Sequence, residues 1–216
     1  MMPKKRIVIV DYNLGNIYSV QQAFIAIGQN PILSNNIEDI ISADALVLPG
    51  VGAFGDAMKN IHDLKIFEPI IQFVKSGKPF LGVCLGMQLL FEESNEFGLH
   101  KGFNFIKGSI KKFPALNLAG LKLKVPQIAW NTIYKKDESA WVNTPLSEIK
   151  NNEYMYFVHS YYAIPSDIDD VLTLTKYDEI EYCSAVKKNN IFAMQFHPEK
   201  SGNEGLKVYK NWVENI

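Results

Sequence analysis

The stretch Phe80-Leu81-Gly82-Val83-Cys84-Leu85-Gly86-Met87-Gln88 decides the fold. Four residues that are apolar or glycine lead into a cysteine flanked by glycines, and a helical period continues over about 85–94. A short apolar run ended by a turn signal reads as a buried strand. Gly-x-Cys-x-Gly between a strand and a helix has the mechanics of a nucleophile elbow, in which the glycines permit a tight turn that holds the side chain over the sheet edge. A helix starting at Leu85 aims free N–H groups at the sulfur, an arrangement that favours thiolate, and the Leu85 N–H is itself placed to stabilise an oxyanion. A lone cysteine is equally explained by core packing, so position alone leaves the two readings level. Cys183, in an apolar stretch without flanking glycines, is assigned to packing.

Working outward, Ile7–Val10 and Ala45–Leu48 read as further buried strands, with helix-period segments at about 16–27, 53–61 and 66–76. Strands alternating with helices predict an α/β fold, a three-layer, flavodoxin-like sandwich whose central sheet is mostly parallel. Ligands in such sheets bind beyond the carboxyl ends of the strands, where Asp11, Gly50 and Cys84 fall. Segments 103–113, 121–134, 154–163, 171–176 and 182–196 are rich in β-branched and aromatic residues and predict extra antiparallel strands in the C-terminal half. Lys187-Lys-Asn-Asn190 reads as a hairpin turn, and 202–214 as a closing helix.

Residues 1–216 show no repeat or linker and are expected to form one domain. With 47% apolar and 21% charged residues the composition is globular, and a net charge of −1 supplies no field for nucleic acid or an anionic membrane. Two cysteines make no disulfide framework. The basic start, Met1 to Arg6, precedes an apolar run too short for a signal peptide, and no run approaches the roughly 18 residues of a spanning helix. A cytoplasmic protein is expected, and no metal or cofactor is called for.

Gly50-Val51-Gly52-Ala53-Phe54-Gly55 matches the dinucleotide fingerprint G-x-G-x-x-G. Pro49 interrupts it, it does not follow the first strand, and the ribose-binding acid expected about 20 residues on is missing. The loop reads better as the wall opposite Cys84, with a peptide near Val51-Gly52 able to turn its N–H into the site as a second oxyanion donor. A thiolate also needs a base. His62 reads as solvated surface and His100 as loop; His159, in Tyr156–Tyr161, is a rival. His197 is the strongest, because Glu199 projects to the same side of an extended segment and Pro198 suits a strand end.

Gly82-Val-Cys84-Leu-Gly86-Met-Gln88 together with His197-Pro-Glu199 resembles the class I (triad) glutamine amidotransferases. The resemblance implies their fold, a catalytic triad of Cys84, His197 and Glu199, Gln88 on the substrate amide, and Glu96 on its α-amino group. Within that class Asp11–Asn16, Leu48–Ala57, Cys84–Leu90, Phe157–Tyr161 and Phe196–Ser201 resemble the glutaminase subunits of imidazole glycerol phosphate synthase, over nearly the whole chain. This implies that His159, Ser160 and Tyr161 line the glutamine pocket. It also implies a heterodimer with a (β/α)8 cyclase subunit (HisF-like), which would receive the ammonia to form imidazole glycerol phosphate. Asn13, Asn16, Gln127, Trp130, Asn131 and Lys200 would face that partner. Asn13 stands where those relatives have glycine, and Gln127, Ile128 and Ala129 depart from their K-V-P-H-M-G-W-N segment. These departures keep open an alternative destination, amidation of an acetamido sugar for surface polysaccharide. A free-standing cysteine hydrolase is a further alternative.

Overall fold

The computed structural model describes residues 5–14 and 16–215; the basic start, Met1–Lys4, and Gly15 of the Asp11–Asn16 segment lie outside them. The three strands read from the sequence form as expected: β1 (Ile7–Val10), with β2 (Ile32–Ser34) on one side and β3 (Ala45–Leu48) on the other, and β4 (Phe80–Val83) beyond β3. All these pairings are parallel, with Val8 opposite both Ile32 and Leu46, and Leu46 opposite Phe80. Every residue of β1, β3 and β4 is buried, as strands covered on both faces require.

The alternation of side chains along each strand sorts the core into two layers. Val8, Val10, Leu46 and Leu48 pack with Ile40 of α2 (Ile37–Ser42), Ala57 and Ile61 of α3 (Phe54–Asp63) and Ile70 and Phe73 of α4 (Phe67–Lys75). Ile7, Ile9, Ala45 and Val47 pack on the opposite face, with Phe24 of α1 (Ile17–Ala26) and Tyr209 and Trp212 of the closing helix Gly202–Glu214. Helices on both faces of these parallel strands make the predicted sandwich, although the sheet as a whole mixes parallel and antiparallel pairings. The strand β2 and helix α2 are short and carry no strong period of their own, so the sequence pattern does not announce them.

One expectation fails at the elbow. The helix read over 85–94 is a single turn, α5 (Leu85–Gln88), and Phe91–Ser94 is a strand, β5. Leu89, Leu90 and Phe91 are all buried, and a continuous apolar run fits a buried strand as well as a helix. One turn has few aligned peptides, so its dipole contributes little to the sulfur.

After β6 (His100–Lys101), the C-terminal half supplies β7 (Ile106–Lys112), β8 (Gln127–Lys135), β9 (Glu153–His159), β10 (Tyr161–Pro165), β11 (Val171–Tyr177), β12 (Ile180–Lys188) and β13 (Ile191–Met194), ahead of the closing helix α6 (Gly202–Glu214). The expected segments 154–163 and 182–196 are each divided, the first at Ser160 and the second at Asn189-Asn190. Asn189 takes φ 52°, a left-handed conformation that asparagine tolerates better than most residues. The turn returns β13 into the parallel part of the sheet, where Met194 pairs with Val83 of β4. The residues that follow these two neighbouring strands, Cys84 and Gln195-Phe196-His197, therefore emerge side by side at one sheet edge.

Candidate active site

Cys84 stands at φ 53°, ψ −109°, a conformation costing a non-glycine residue about 1–3 kcal/mol. Its surroundings enforce the turn. A Cβ on Gly86 would lie 1.8 Å from the Leu48 carbonyl oxygen, and one on Gly82 would lie 2.9 Å from the Ala193 Cβ. The elbow is thus wedged between the ends of β3 and β13, and Cys84 N–H donates to the Met194 carbonyl at 2.8 Å. The sulfur borders a cavity of about 400 Å³ whose lining includes Val51, Gly52, Gln88, Glu96, His159 and Tyr161. Leu85, Ser160 and Lys200 complete the set of sequence-predicted residues around it.

His197 and Glu199 meet, though not across the extended segment expected: Pro198–Lys200 is a single 3-10 turn with His197 extended at its start. His197 Nδ1 lies 2.7 Å from Glu199 Oε1, and the two side chains are only 2% and 1% exposed. Glu199 is held from two further sides, since Tyr209 Oη donates to Oε2 at 3.0 Å and Asn16 Nδ2 to Oε1 at 3.5 Å. Tyr209, from α6, escaped the sequence reading; a tyrosine on an apolar helix face carries no signal of its own. His197 Nε2 is buried without a well-formed hydrogen bond. Burial disfavours the charged imidazole, but the negative charge of a Cys84 thiolate, a loose hydrogen bond to it, and Glu199 outweigh burial and push His197 up to about 10. For Glu199, burial would raise the carboxyl, yet the hydrogen bond and charge of His197 hold it below its ordinary value.

The rival histidine has another role. His159 Nδ1 contacts the Tyr161 carbonyl at 2.8 Å and Nε2 the Tyr182 hydroxyl at 3.2 Å. Burial is the main reason it sits down at about 4, so it is neutral near pH 7. His62 is exposed and stacks on Phe67. His100 lies on β6 rather than a loop, its ring against Gly55. Cys183 is buried on β12, and burial pushes its thiol up.

Two expectations need correction. Leu85 N–H is not free for an oxyanion: it donates to the Gly50 carbonyl at 3.3 Å. The peptide joining Gly50 to Val51 turns its oxygen, not its N–H, toward that donor. Gln127 does not face outward. It is 0% exposed, and its side-chain amide lies 3.1 Å from Tyr182 Oη. Asn131, on the same side of β8, is half-buried and donates to the Lys176 carbonyl. The outward residues are Ile128 and Trp130, 50% and 52% exposed, and Trp130 meets Tyr156 edge to face, near Lys200. Asn13 is exposed and Asn16 half-buried.

Glu96 Oε2 accepts from the Phe54 N–H at 2.7 Å, capping α3 at the cavity rim. The glycine loop has packing duties that a pyrophosphate site would not share. A Cβ on Gly50 would lie 2.1 Å from the Tyr12 hydroxyl, which donates to the Pro49 carbonyl, and Gly52 takes φ 116°.

The profile of the family described as glutamine amidotransferase class-I matches residues 8–216. Among curated relatives, the imidazole glycerol phosphate synthase subunit HisH of Aquifex aeolicus is 45% identical over 208 residues, covering 96% of this chain and 95% of that one. HisH of Geobacter sulfurreducens is 41% identical, covering 97% and 98%. Among solved structures, one described as PurLQS from Thermotoga maritima superposes with a TM-score of 0.70 at 20% identity, covering 98% and 99%, a likeness of fold.

Proposed function

From the premise that this chain belongs to the class-I glutamine amidotransferases, we propose that it is the glutaminase subunit of an imidazole glycerol phosphate synthase. It hydrolyses glutamine to glutamate and ammonia. The observation that carries the chemistry is the buried His197–Glu199 pair at 2.7 Å, with Nε2 unengaged beside the strained Cys84 at the cavity wall.

The steps follow from the groups present. The Cys84 thiolate attacks the side-chain carbonyl carbon of glutamine, forming the C–S bond and placing negative charge on the oxygen. His197, held as imidazolium by Glu199, gives its proton to the departing nitrogen, and ammonia leaves as the C–N bond breaks. The neutral imidazole then takes a proton from water, the hydroxide oxygen attacks the thioester, and glutamate departs with return of the thiolate. Gln88 meets the substrate amide, Glu96 its ammonium, and the residues His159–Tyr161 form the opposite wall.

The oxyanion needs donors, and here the Leu85 N–H is taken by Gly50. The peptide at Gly50-Val51 must turn, freeing Leu85 and presenting the Val51 N–H, before both donors can serve. Gly52 on one side gives that loop the freedom to do so. The isolated chain is therefore expected to hydrolyse glutamine slowly. Ammonia released into water would be protonated, so a partner must take it at the site's mouth. We assign that partner as a (β/α)8 cyclase subunit docking over Trp130, Ile128, Asn13, Asn16 and Lys200.

The test mixes the chain with that cyclase subunit and follows glutamine-dependent formation of imidazole glycerol phosphate. The expected result is product formation, with glutaminase turnover rising when partner and acceptor ligand are both present and vanishing in Cys84→Ala. Glutaminase activity with no imidazole glycerol phosphate would overturn the assignment of partner. Retention of turnover by Cys84→Ala would overturn the chemistry.

A further inference from the structure

The buried amides around Cys84 hydrogen-bond in one direction, and a backbone carbonyl sets it. Gln88 Nε2 lies 3.0 Å from the Tyr161 carbonyl oxygen, which also faces His159 Nδ1 at 2.8 Å. A carbonyl only accepts, so the Gln88 atom beside it must be the NH2 group. The same nitrogen meets Gln195 at 2.8 Å, so the Gln195 atom there must be its oxygen. The NH2 of Gln195 is thereby turned onto Cys84 Sγ at 3.5 Å. Gln195 is 0% exposed. Its place follows from the pairing of Met194 with Val83 and from its own N–H bond to the Ser184 carbonyl at 2.9 Å. With both N–H groups of Gln88 engaged, its Oε1 accepts from no group among the described residues, and Gln88 lines the cavity.

We propose that Gln195 is a positioning and specificity-determining residue that donates to the Cys84 sulfur and locks Gln88 with its oxygen toward the substrate, so that the cavity accepts a carboxamide and turns away a carboxylate. The inference rests on the glutaminase reading. A hydrogen bond to a sulfur that carries charge as thiolate is charge-assisted and strengthens with that charge. A fixed acceptor oxygen pairs with the NH2 of glutamine but finds no proton on the carboxylate of glutamate, leaving two oxygens opposed in a buried site. Substrate is held and product expelled by the same orientation. Without Gln195, the Gln88 amide loses one of the two hydrogen bonds that fix it, so turning its NH2 toward a carboxylate costs less.

Gln195→Leu keeps most of the volume and removes both hydrogen bonds; Gln195→Met is a second near-isosteric variant should the first not fold. Two readouts separate positioning from packing. The first is the rate of Cys84 alkylation by iodoacetamide at neutral pH, followed by mass spectrometry of the Cys84 peptide in the full chain. The second is the ratio of the glutamate inhibition constant to the glutamine KM, measured with the cyclase subunit present. The expected results are alkylation slowed about tenfold and a ratio reduced about tenfold, the scale of one charge-assisted hydrogen bond lost. A variant with a lowered melting temperature but wild-type alkylation and a wild-type ratio would overturn the proposal, since packing alone would then explain Gln195. Should the wild-type chain fail to hydrolyse glutamine, the glutaminase reading falls, while the alkylation rate still decides whether Gln195 acts on the sulfur.

Discussion

Glu199→Gln separates charge from shape at the proposed triad. The glutamine keeps an oxygen for the His197 Nδ1–H at 2.7 Å, and its NH2 can donate to the Tyr209 hydroxyl, which now donates to Oε2 at 3.0 Å. The imidazole therefore keeps its tautomer and its aim; what disappears is one negative charge. Two unit charges about 4 Å apart at an effective dielectric near 20 interact by about 4 kcal/mol, an upper bound for the loss. The lower bound comes from the imidazole itself. Holding His197 at about 10 rather than 6.5 is worth about 5 kcal/mol net of burial, and Cys84 contributes more of it than Glu199 does. A share of about 2 kcal/mol for Glu199 is then a conservative figure, and the two bounds bracket a fall in kcat of roughly 30- to 1,000-fold. Glu199 is absent from the cavity lining, so the KM for glutamine should stay near its wild-type value. Steady-state glutamine hydrolysis in the presence of the cyclase subunit measures both. A kcat within about threefold of wild type, with Cys84→Ala inactive, would refute the view that the Glu199 charge sustains the imidazolium.

Tyr209→Phe removes one of the supports of Glu199 and should lower kcat severalfold and stability by about 1 kcal/mol, read by kinetics and urea titration. Gly86→Ala places a methyl 1.8 Å from a carbonyl oxygen of the next strand, so a loss of more than about 3 kcal/mol or insoluble protein is expected, and an unchanged melting temperature would contradict the packing described. The pH dependence of stability follows from the two shifted groups. His197 is raised, so its contribution is complete below 6.5 and is lost as pH rises through about 10; Glu199 is lowered, so its contribution is present above its ordinary 4.5 and is lost as pH falls. The stability difference between wild type and Glu199→Gln should therefore be widest between about pH 5 and 6 and narrow toward pH 10; a difference constant across that range would count against the pair.

Much of the site was legible because its chemistry is local in sequence. Two glycines around Cys84 mark the elbow, and a carboxylate two residues after His197 marks the pair, although the pair closes through a 3-10 turn rather than an extended segment. Adjacency of the two motifs was not legible, because it depends on β13 lying beside β4 across more than a hundred residues of chain. Tyr209 was missed for the same reason, as was the blocking of Leu85 N–H by Gly50, which depends on which way one peptide faces. The error over 85–94 has a different origin. Leu89-Leu90-Phe91 continues the apolar run past α5, and burial on all sides erases the periodicity that tells helix from strand.

The departures at β8 lose their bearing on the partner once the strand is seen. In an extended segment the side is set by parity, and Gln127, Ala129 and Asn131 share the side that packs toward β11 and β12, while Ile128 and Trp130 take the other. A change at 127 therefore alters the buried chain from Gln127 through Tyr182 and His159 to the Tyr161 carbonyl, an internal matter of how the pocket wall is braced. Only the change at Ile128 reaches the surface a partner can touch, beside a retained tryptophan. Asn13, which is exposed, sits at φ 62°, where glycine is most at ease and asparagine is among the least strained of the rest, so the substitution suits the backbone at that residue. Two of the four differences that opened a second destination for the ammonia, Gln127 and Ala129, thus concern this chain's own interior, while Ile128 and Asn13 stand on exposed surface. The outward face of β8 keeps its large aromatic anchor, the type of residue that dominates binding at protein interfaces.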